Sequence, residues 1–402
     1  MTDRRIMWML VAMCAATFMV TASGSATAPF MPAIAADLST DIPAVGHLFS
    51  IQAITWGASA LVFGMFSHRL GRRTTLIVSV VLMGAIRVMF AMSSSYAEAF
   101  TWQLLSGFCG GAFMGVVFAT VSDHIPAGTR GRALSWVITG QSLSLVVGVP
   151  IVTLLGTLGG WRYALGIHGA ATIVTAIALR VATPRDVVHP PHIARSRAPL
   201  SSLLQFRLVA LMGAGTTERV CFATLAVYLP TFLQRAYGIG LSQLAVALAL
   251  VALGNLIGNI IGGRIADRPR ARHKVFAVTL SLTAVLAIPT LLWQPGLALS
   301  VALGFVYSLV NAAGRPSLMA VLSDMPSELR GALFGLNITM ASMGWLLAGS
   351  AGSALLAAGG FPALGIFCSI MAVIGASLAV ASRAHAKNVA SAGEERHGTA
   401  CR

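Results

Sequence analysis

Charge is what this sequence has least of. Asp, Glu, Lys and Arg together make up 10% of 402 residues, while 56% are hydrophobic. A soluble chain carries roughly a quarter charged residues, so a soluble globular protein is excluded. Acids are scarcer still, 12 against 27 Lys and Arg. The apolar runs lack the strict alternation of a membrane β-barrel. Of the five cysteines, Cys14, Cys109, Cys221 and Cys368 lie in apolar stretches and Cys401 in the tail. No spacing suits a disulfide framework or a metal site, so no metal is expected. There is no arginine-rich, aromatic-interleaved soluble domain, which argues against nucleic acid as a partner despite the net charge of +15. His-Glu-x-x-His, Gly-x-Gly-Asp, Gly-x-Ser-x-Gly and Gly-x4-Gly-Lys patterns are all missing, so neither an intramembrane enzyme nor direct ATP coupling is expected.

What is present is a succession of apolar runs of about twenty residues, the length needed to cross about 30 Å of hydrocarbon. They predict spans at 6–28, 47–66, 75–93, 99–121, 134–156 and 162–182, then at 207–233, 243–266, 275–293, 297–322, 332–356 and 362–382. The fold class is an all-α membrane protein with twelve transmembrane helices in two six-helix bundles, 1–182 and 207–382. Segment 183–206, rich in Pro, His and Arg, reads as a cytoplasmic linker, and the polar 383–402 as a disordered cytoplasmic tail. Ala26-Thr-Ala28 resembles a leader cleavage site, but the preceding run is too long for one and reads as the first span. Arginines concentrate before span one, in the even gaps and in the tail; the odd gaps hold only Arg162 and Arg235. The positive-inside rule therefore predicts that both termini are cytoplasmic.

Two signatures recur about 200 residues apart in basic gaps. Gly64-Met-Phe-Ser-His68-Arg69 is echoed by Gly263-Arg-Ile-Ala-Asp267-Arg268, and Pro126-Ala-Gly-Thr-Arg130-Gly131 by Pro326-Ser-Glu-Leu-Arg330-Gly331. The chain is thus two related halves, and paired halves in a membrane protein place a substrate site at their interface and imply rocking of one half against the other.

The stretch Gly64 to Arg73, with His68, Arg69, Gly71, Arg72 and Arg73, resembles the loop pattern Gly-x-Leu-Ala-Asp-Arg-x-Gly-Arg-Arg of the major facilitator superfamily. Span five, with Gly140, Gly148, Pro150 and Gly156 followed by Trp161-Arg162, is similar to the antiporter motif of that family's twelve-span drug/proton antiporter (arabinose-efflux-like) branch. The resemblance covers nearly the whole chain. It implies a cytoplasmic latch at Gly64, His68, Arg69, Gly71 and Arg72, repeated at Gly263, Asp267 and Arg268. His68 stands where the family has an acid, so this latch has no permanent negative charge. Gln103 occupies the position where family exporters often carry an arginine, and that arginine's proton-relay role does not transfer. The glycines of span five share one face and allow close approach, with Pro150 as a kink. Gly254, Gly258 and Gly262 make a similar face in span eight.

Ionisable groups inside a membrane cost about 2.5–3.5 kcal/mol each on insertion scales. Glu218 is the only acid well inside a span, next to Arg219; Arg87 and Arg315 lie in spans three and ten. Desolvation favours a carboxyl's neutral form, which makes Glu218 the candidate for proton coupling; a structural ion pair with an arginine of another span is the alternative. Gln52, Trp56, Arg87, Gln141, Asn255, Asn311 and Asn337 are candidates to line a substrate cavity, with Asn259, Phe222 and Tyr228 as further polar or aromatic groups. The expected function is secondary active export of a small organic molecule by proton antiport in the cell inner membrane. The alternative is proton-coupled or facilitative import of a siderophore, sugar or nucleobase. The expected partners are the small molecule, protons and the lipid bilayer. No cofactor is expected, and a monomer is.

Overall fold

In hydrocarbon every backbone N–H and C=O must find its partner within the segment, so the apolar runs become helices. The computed structural model describes residues 3–125, 130–184, 206–266, 272–323 and 327–400. Helix α1 is Asp3–Ser25, followed by the short helical connector Ala28–Phe30 and Met31–Asp37. Then come α2 (Ile42–Leu70), α3 (Arg72–Ala91) and α4 (Tyr96–His124). Helix α5 starts as Arg130–Leu143, passes through a π-turn at Ser144–Gly148, and continues into Val149–Ala182. That last segment breaks at Gly159 and Gly160, so α5 ends there and α6 is 161–182. The second half has α7 (Phe206–Tyr237), α8 (Leu241–Ala266), α9 (Arg272–Leu292) and α10 (Leu297–Ser323). Ser327–Ala400 breaks at Gly360 into α11 (327–359) and α12 (361–400).

Among the described residues, nine segments are long and apolar enough to cross a membrane. Two of them, Trp136–Ala182 with 47 residues and Asn337–Ser382 with 46, reverse at a glycine and cross twice. Helix α7 completes the twelve; Glu218 and Arg219 lower its apolarity. Gly160 and Gly360 have φ of +72° and +66°, a left-handed conformation that favours glycine because it has no Cβ. Each is the second glycine of a Gly-Gly pair, and the two pairs repeat the halves' symmetry at the α5–α6 and α11–α12 turns.

The helices overrun the apolar runs where a cap holds the first turn. Asp41 accepts a hydrogen bond from the Ala44 N–H at 2.7 Å and starts α2 five residues before the predicted span. Ser95 caps Glu98 N–H, while Glu98 reaches back to Ser94 N–H at 2.9 Å, a variant of the reciprocal capping box. Helix α12 continues to Ala400, where the polar composition of 383–402 predicts disorder; Ala, Lys and Glu in that stretch are strong helix formers.

The kink predicted at Pro150 is a π-turn. Proline has no N–H for the carbonyl four residues back, and the wider turn just before it re-satisfies the backbone, with Val149 N–H bonding Ser144 O. Three buried clusters hold the bundles. One lies within the first half (Met9, Val80, Phe113, Val117), one within the second (Leu211, Phe276, Leu280, Leu322). The third joins both halves through Phe30, Phe49, Trp161, Tyr228 and Phe232. Large apolar side chains such as Val174, Val285 and Val373 remain exposed on the outer faces, as expected for helices facing lipid.

Candidate functional site

Contacts between the halves form an antiparallel zipper of α2 and α11. At the odd-gap end, a Cβ on Gly46 would collide with Ser353 and Tyr228, whose hydroxyl bonds Ser353 Oγ at 3.0 Å and Ala348 O at 3.1 Å. Further in, Ser50 Oγ donates to Leu346 O at 3.2 Å, and Gly349 lies against Ser50. At mid-membrane, Gly57 sits on Ser342. On the α7 side, Gln234 Nε2 donates to Pro29 O of the connector at 2.9 Å. Gly156 faces Phe30 and, across the halves, Leu241. Phe49, Trp345 and Phe222 form an aromatic chain from α2 through α11 to α7, with ring centroids 6.4 and 6.2 Å apart.

Also between the halves, on the side of α5 and α8, lies a small cavity of about 70 Å³. It is mostly apolar, walled by Leu145 and Val149 of α5, Phe222 and Leu225 of α7, and Val251 of α8, with Ser25, Asn255 and Ser308 as polar points. An apolar lining with a few polar points is the character of small-molecule sites, but at this size the site is nearly closed and must widen to admit a cargo of roughly drug size.

Glu218, 1% exposed, lies one turn from Phe222 between two guanidinium groups. Arg315 Nη2 is 2.8 Å from its Oε1, and Arg219 Nε 3.4 Å from its Oε2. Of the two sequence readings of Glu218, this geometry supplies the inter-span ion pair, with Arg315 as the partner from α10, and adds Arg219. Asn311 Nδ2 reaches the Glu218 carbonyl at 3.5 Å. Arg315 also stacks over Phe222, 5.1 Å from the ring centroid, which places the triad directly behind a residue of the cavity wall. Helical spacing agrees: Arg219, Phe222 and Ala226 share one face of α7, and Ser308, Asn311 and Arg315 one face of α10.

Of the residues proposed as cavity lining, Asn255 lines it, and Asn311 sits behind it on the triad. Asn255 also accepts from Asn259 Nδ2 at 3.0 Å. The others are elsewhere. Gln52 donates to Ser106 at 3.4 Å, and Trp56 packs against Gly110 and Gly111 of α4. Arg87 is fully buried inside the first half, donating to Thr27 Oγ1 at 2.9 Å. Gln141 and Asn337 are half-buried on α5 and α11. Gln103 is fully buried. Ser308 and the aliphatic walls left no signal in the sequence, because apolar residues in spans face lipid, neighbouring helix or cavity alike.

The glycines of α5 press on α1 and the connector. Gly140 faces the Cys14 carbonyl and Thr17, Gly148 faces Phe18 and Ala22, and Gly156 faces Phe30. In the loop signature, Gly71 makes the α2–α3 turn with φ +82°, and Arg73 donates to Arg180 O at 2.5 Å, tying that turn to the end of α6. Gly64 is exposed, and a Cβ there would reach the Gly115 carbonyl at 3.6 Å. Gly263 has open space around it. Arg72 is described; the side chains of His68 and Arg69, and Asp267 and Arg268 altogether, lie outside the described residues. On the odd-gap side, Asp37 accepts from Trp161 Nε1 at 2.8 Å and pairs with Arg162 at 3.5 Å, which also holds the Ala91 and Ser93 carbonyls.

Residues 13–272 and 211–401 match the Major Facilitator Superfamily. The inner membrane transport protein YdhP of Escherichia coli K12 is 27% identical, covering 94% of this chain and 95% of its own. A chloramphenicol resistance protein of Streptomyces lividans is 29% identical over 72% and 78% of the two chains, and a citrate–proton symporter of Klebsiella pneumoniae 26% over 70% and 69%. The fold is shared with a bacterial homologue of the human lysosomal transporter Spinster, with a TM-score of 0.82 and 14% identity over 95% and 98% of the chains. With two matched halves around a shared cavity and family membership along its length, this chain belongs to the Major Facilitator Superfamily and is a multi-pass membrane transporter, not an enzyme.

Proposed function

We propose that the protein exports a small organic molecule across the inner membrane by proton antiport, with both termini in the cytoplasm and a monomer as the working unit. Cargo occupies the cavity between the halves. The halves rock about the α2–α11 and α5–α8 contacts to expose it to one side and then the other. The observation that carries this reading is Glu218, the only acid deep in the spans, beside the cavity wall and held by arginines of two helices. A carboxylate that trades an arginine for a proton changes the charge of the site and the packing of α7 against α10, which is the two-state element that coupling needs.

The test uses inverted vesicles with an imposed proton gradient, screened for accumulation of labelled compounds with native protein and Glu218→Gln. Accumulation lost to both protonophore and substitution supports coupling through Glu218. Accumulation lost to protonophore alone moves the coupling site elsewhere. A second reading, proton-coupled uptake, is favoured by Gln103, which takes the place of the arginine that family exporters often carry; uptake by whole cells rather than accumulation in inverted vesicles would establish it.

A further inference from the structure

The membrane interior holds three arginines, Arg87, Arg219 and Arg315, against one acid, Glu218. Arg219 and Arg315 both pair with that one carboxylate, so the triad carries one uncompensated positive charge. A buried ion without its counter-charge costs several kcal/mol, and nothing else acidic in the sequence lies within the spans. Donors are left over as well. Among the described residues, buried Arg315 Nε has no hydrogen-bond partner, and Asn255 Nδ2, at the cavity wall, has none either. Both arginine side chains are 17% exposed, while Glu218 is sealed. Within the triad the cations keep some exposure and the anion none, and Arg315 backs the cavity through Phe222, which lines it. The cavity itself is mostly apolar and carries the Phe222 ring. Fully buried Arg87 adds a further positive charge from the first half, with Nε and Nη1 unpartnered among the described residues, and a low-dielectric cavity focuses such a field.

We propose that the cargo is an organic monoanion, a carboxylate on an apolar body, whose head group completes the charge of the Glu218–Arg219–Arg315 triad. As the cavity widens, the carboxylate pairs with Arg315 behind Phe222, with Asn255 as a further donor in the lining, and the body lies beside Phe222 and Val251. Two guanidinium groups and two carboxylates make a neutral set. An amine in the same place adds a third cation, and a neutral amide leaves the excess charge in place. The site therefore discriminates by repulsion as well as attraction. This inference rests on the inter-half cavity being the cargo site.

The experiment is thermal unfolding of the purified full-length protein in detergent with matched probes. Carboxylate, primary amide and primary amine are compared on phenylmethyl, naphthylmethyl and octyl bodies, with sodium chloride and sodium phosphate at equal ionic strength as controls. The acids are expected to stabilise the protein in a saturable way, the amides and amines not. Arg315→Gln is expected to weaken the apparent acid affinity by about tenfold or more, as for removal of one partner of a buried charge pair. Glu218→Gln, which frees both arginines, is expected to strengthen it; its opposite sign keeps the test decisive if the arginine variant does not fold. Amines or amides that stabilise as well as acids, an acid series that shifts nothing, chloride or phosphate that matches the acids, or acid binding unaffected by both substitutions would each overturn the proposal. Acids that bind but are not moved by a proton gradient in vesicles would sink the antiport reading and leave the anion site standing. Proton-driven transport of amines alone would do the reverse.

Discussion

In the first half the tightest helix seam is made by glycines of α4. Gly107, Gly111 and Gly115 sit against the carbonyls of Gln52, Trp56 and Ala60 on α2. In the second half the corresponding seam joins α8 and α10, but the glycines are on the other member. Gly254, Gly258 and Gly262 of α8 sit against the carbonyls of Phe305, Leu309 and Ala313 on α10. The symmetry-related helices approach as closely in both halves, with the small residues supplied from opposite sides. What the duplication preserved is the inter-helix distance, and either surface can provide it, because backbone approach requires only that one of the two lack a Cβ. Charge follows a different rule. Among the described residues, the first half buries a single arginine bound to a threonine, while the second places a three-residue ion cluster behind Phe222 of the cavity wall. Packing was kept symmetric and chemistry was concentrated on one side.

The seam offers the strongest way to break this comparison. Gly111→Leu and Gly258→Leu would each drive a side chain into a backbone carbonyl, and overpacking costs about 1–3 kcal/mol or more where the backbone must move. Both are expected to abolish recoverable folded protein in fluorescence-detected size exclusion, while Gly263→Leu, with open space around it, is expected to elute as the native protein does. If only one seam variant fails, the two halves are not mechanically equivalent. Next in size, Arg315→Ala leaves Glu218 with Arg219 alone. Breaking a buried pair costs about 3–5 kcal/mol, discounted here because Arg219 remains, so thermal unfolding should fall by several degrees. Arg87→Leu in the first half removes a charge with no carboxylate partner among the described residues and should raise the unfolding temperature, since burial of an unpaired ion is itself costly. A fall there would mean that Arg87 has a counter-charge.

At the zipper, Gly349→Val meets Ser50 and the Gly46 carbonyl. It is expected to leave folding yield near native but to raise labelling of a cysteine placed at Ser50, because the odd-gap side no longer closes. The smallest effect is expected at Trp161→Phe, which gives up one hydrogen bond to the half-exposed Asp37. About 1 kcal/mol is the expected loss, seen as a shift of a degree or two in unfolding temperature.

The halves, the twelve crossings and the reversal points were legible because they rest on one-dimensional signals: run length, arginine spacing and repeated loop residues. The close-packing faces were legible too, since Gly254, Gly258 and Gly262 recur at helical period. The lining of the cavity was not. Polar residues in spans were the natural candidates, yet Gln52 serves Ser106, Arg87 serves Thr27, and of seven only Asn255 reaches the wall. A polar group in hydrocarbon must bond something, and a neighbouring helix satisfies it as well as a cargo would.

By itself the sequence determined that this chain spans a membrane as two duplicated bundles, since hydrocarbon thickness and backbone hydrogen bonding leave no other form for such runs. It also determined that Glu218 is unusual. Only the tertiary structure decided what surrounds that carboxyl. Arg315 is 97 residues away in the chain and 2.8 Å away in space, and no local pattern encodes which faces of α7 and α10 turn towards each other.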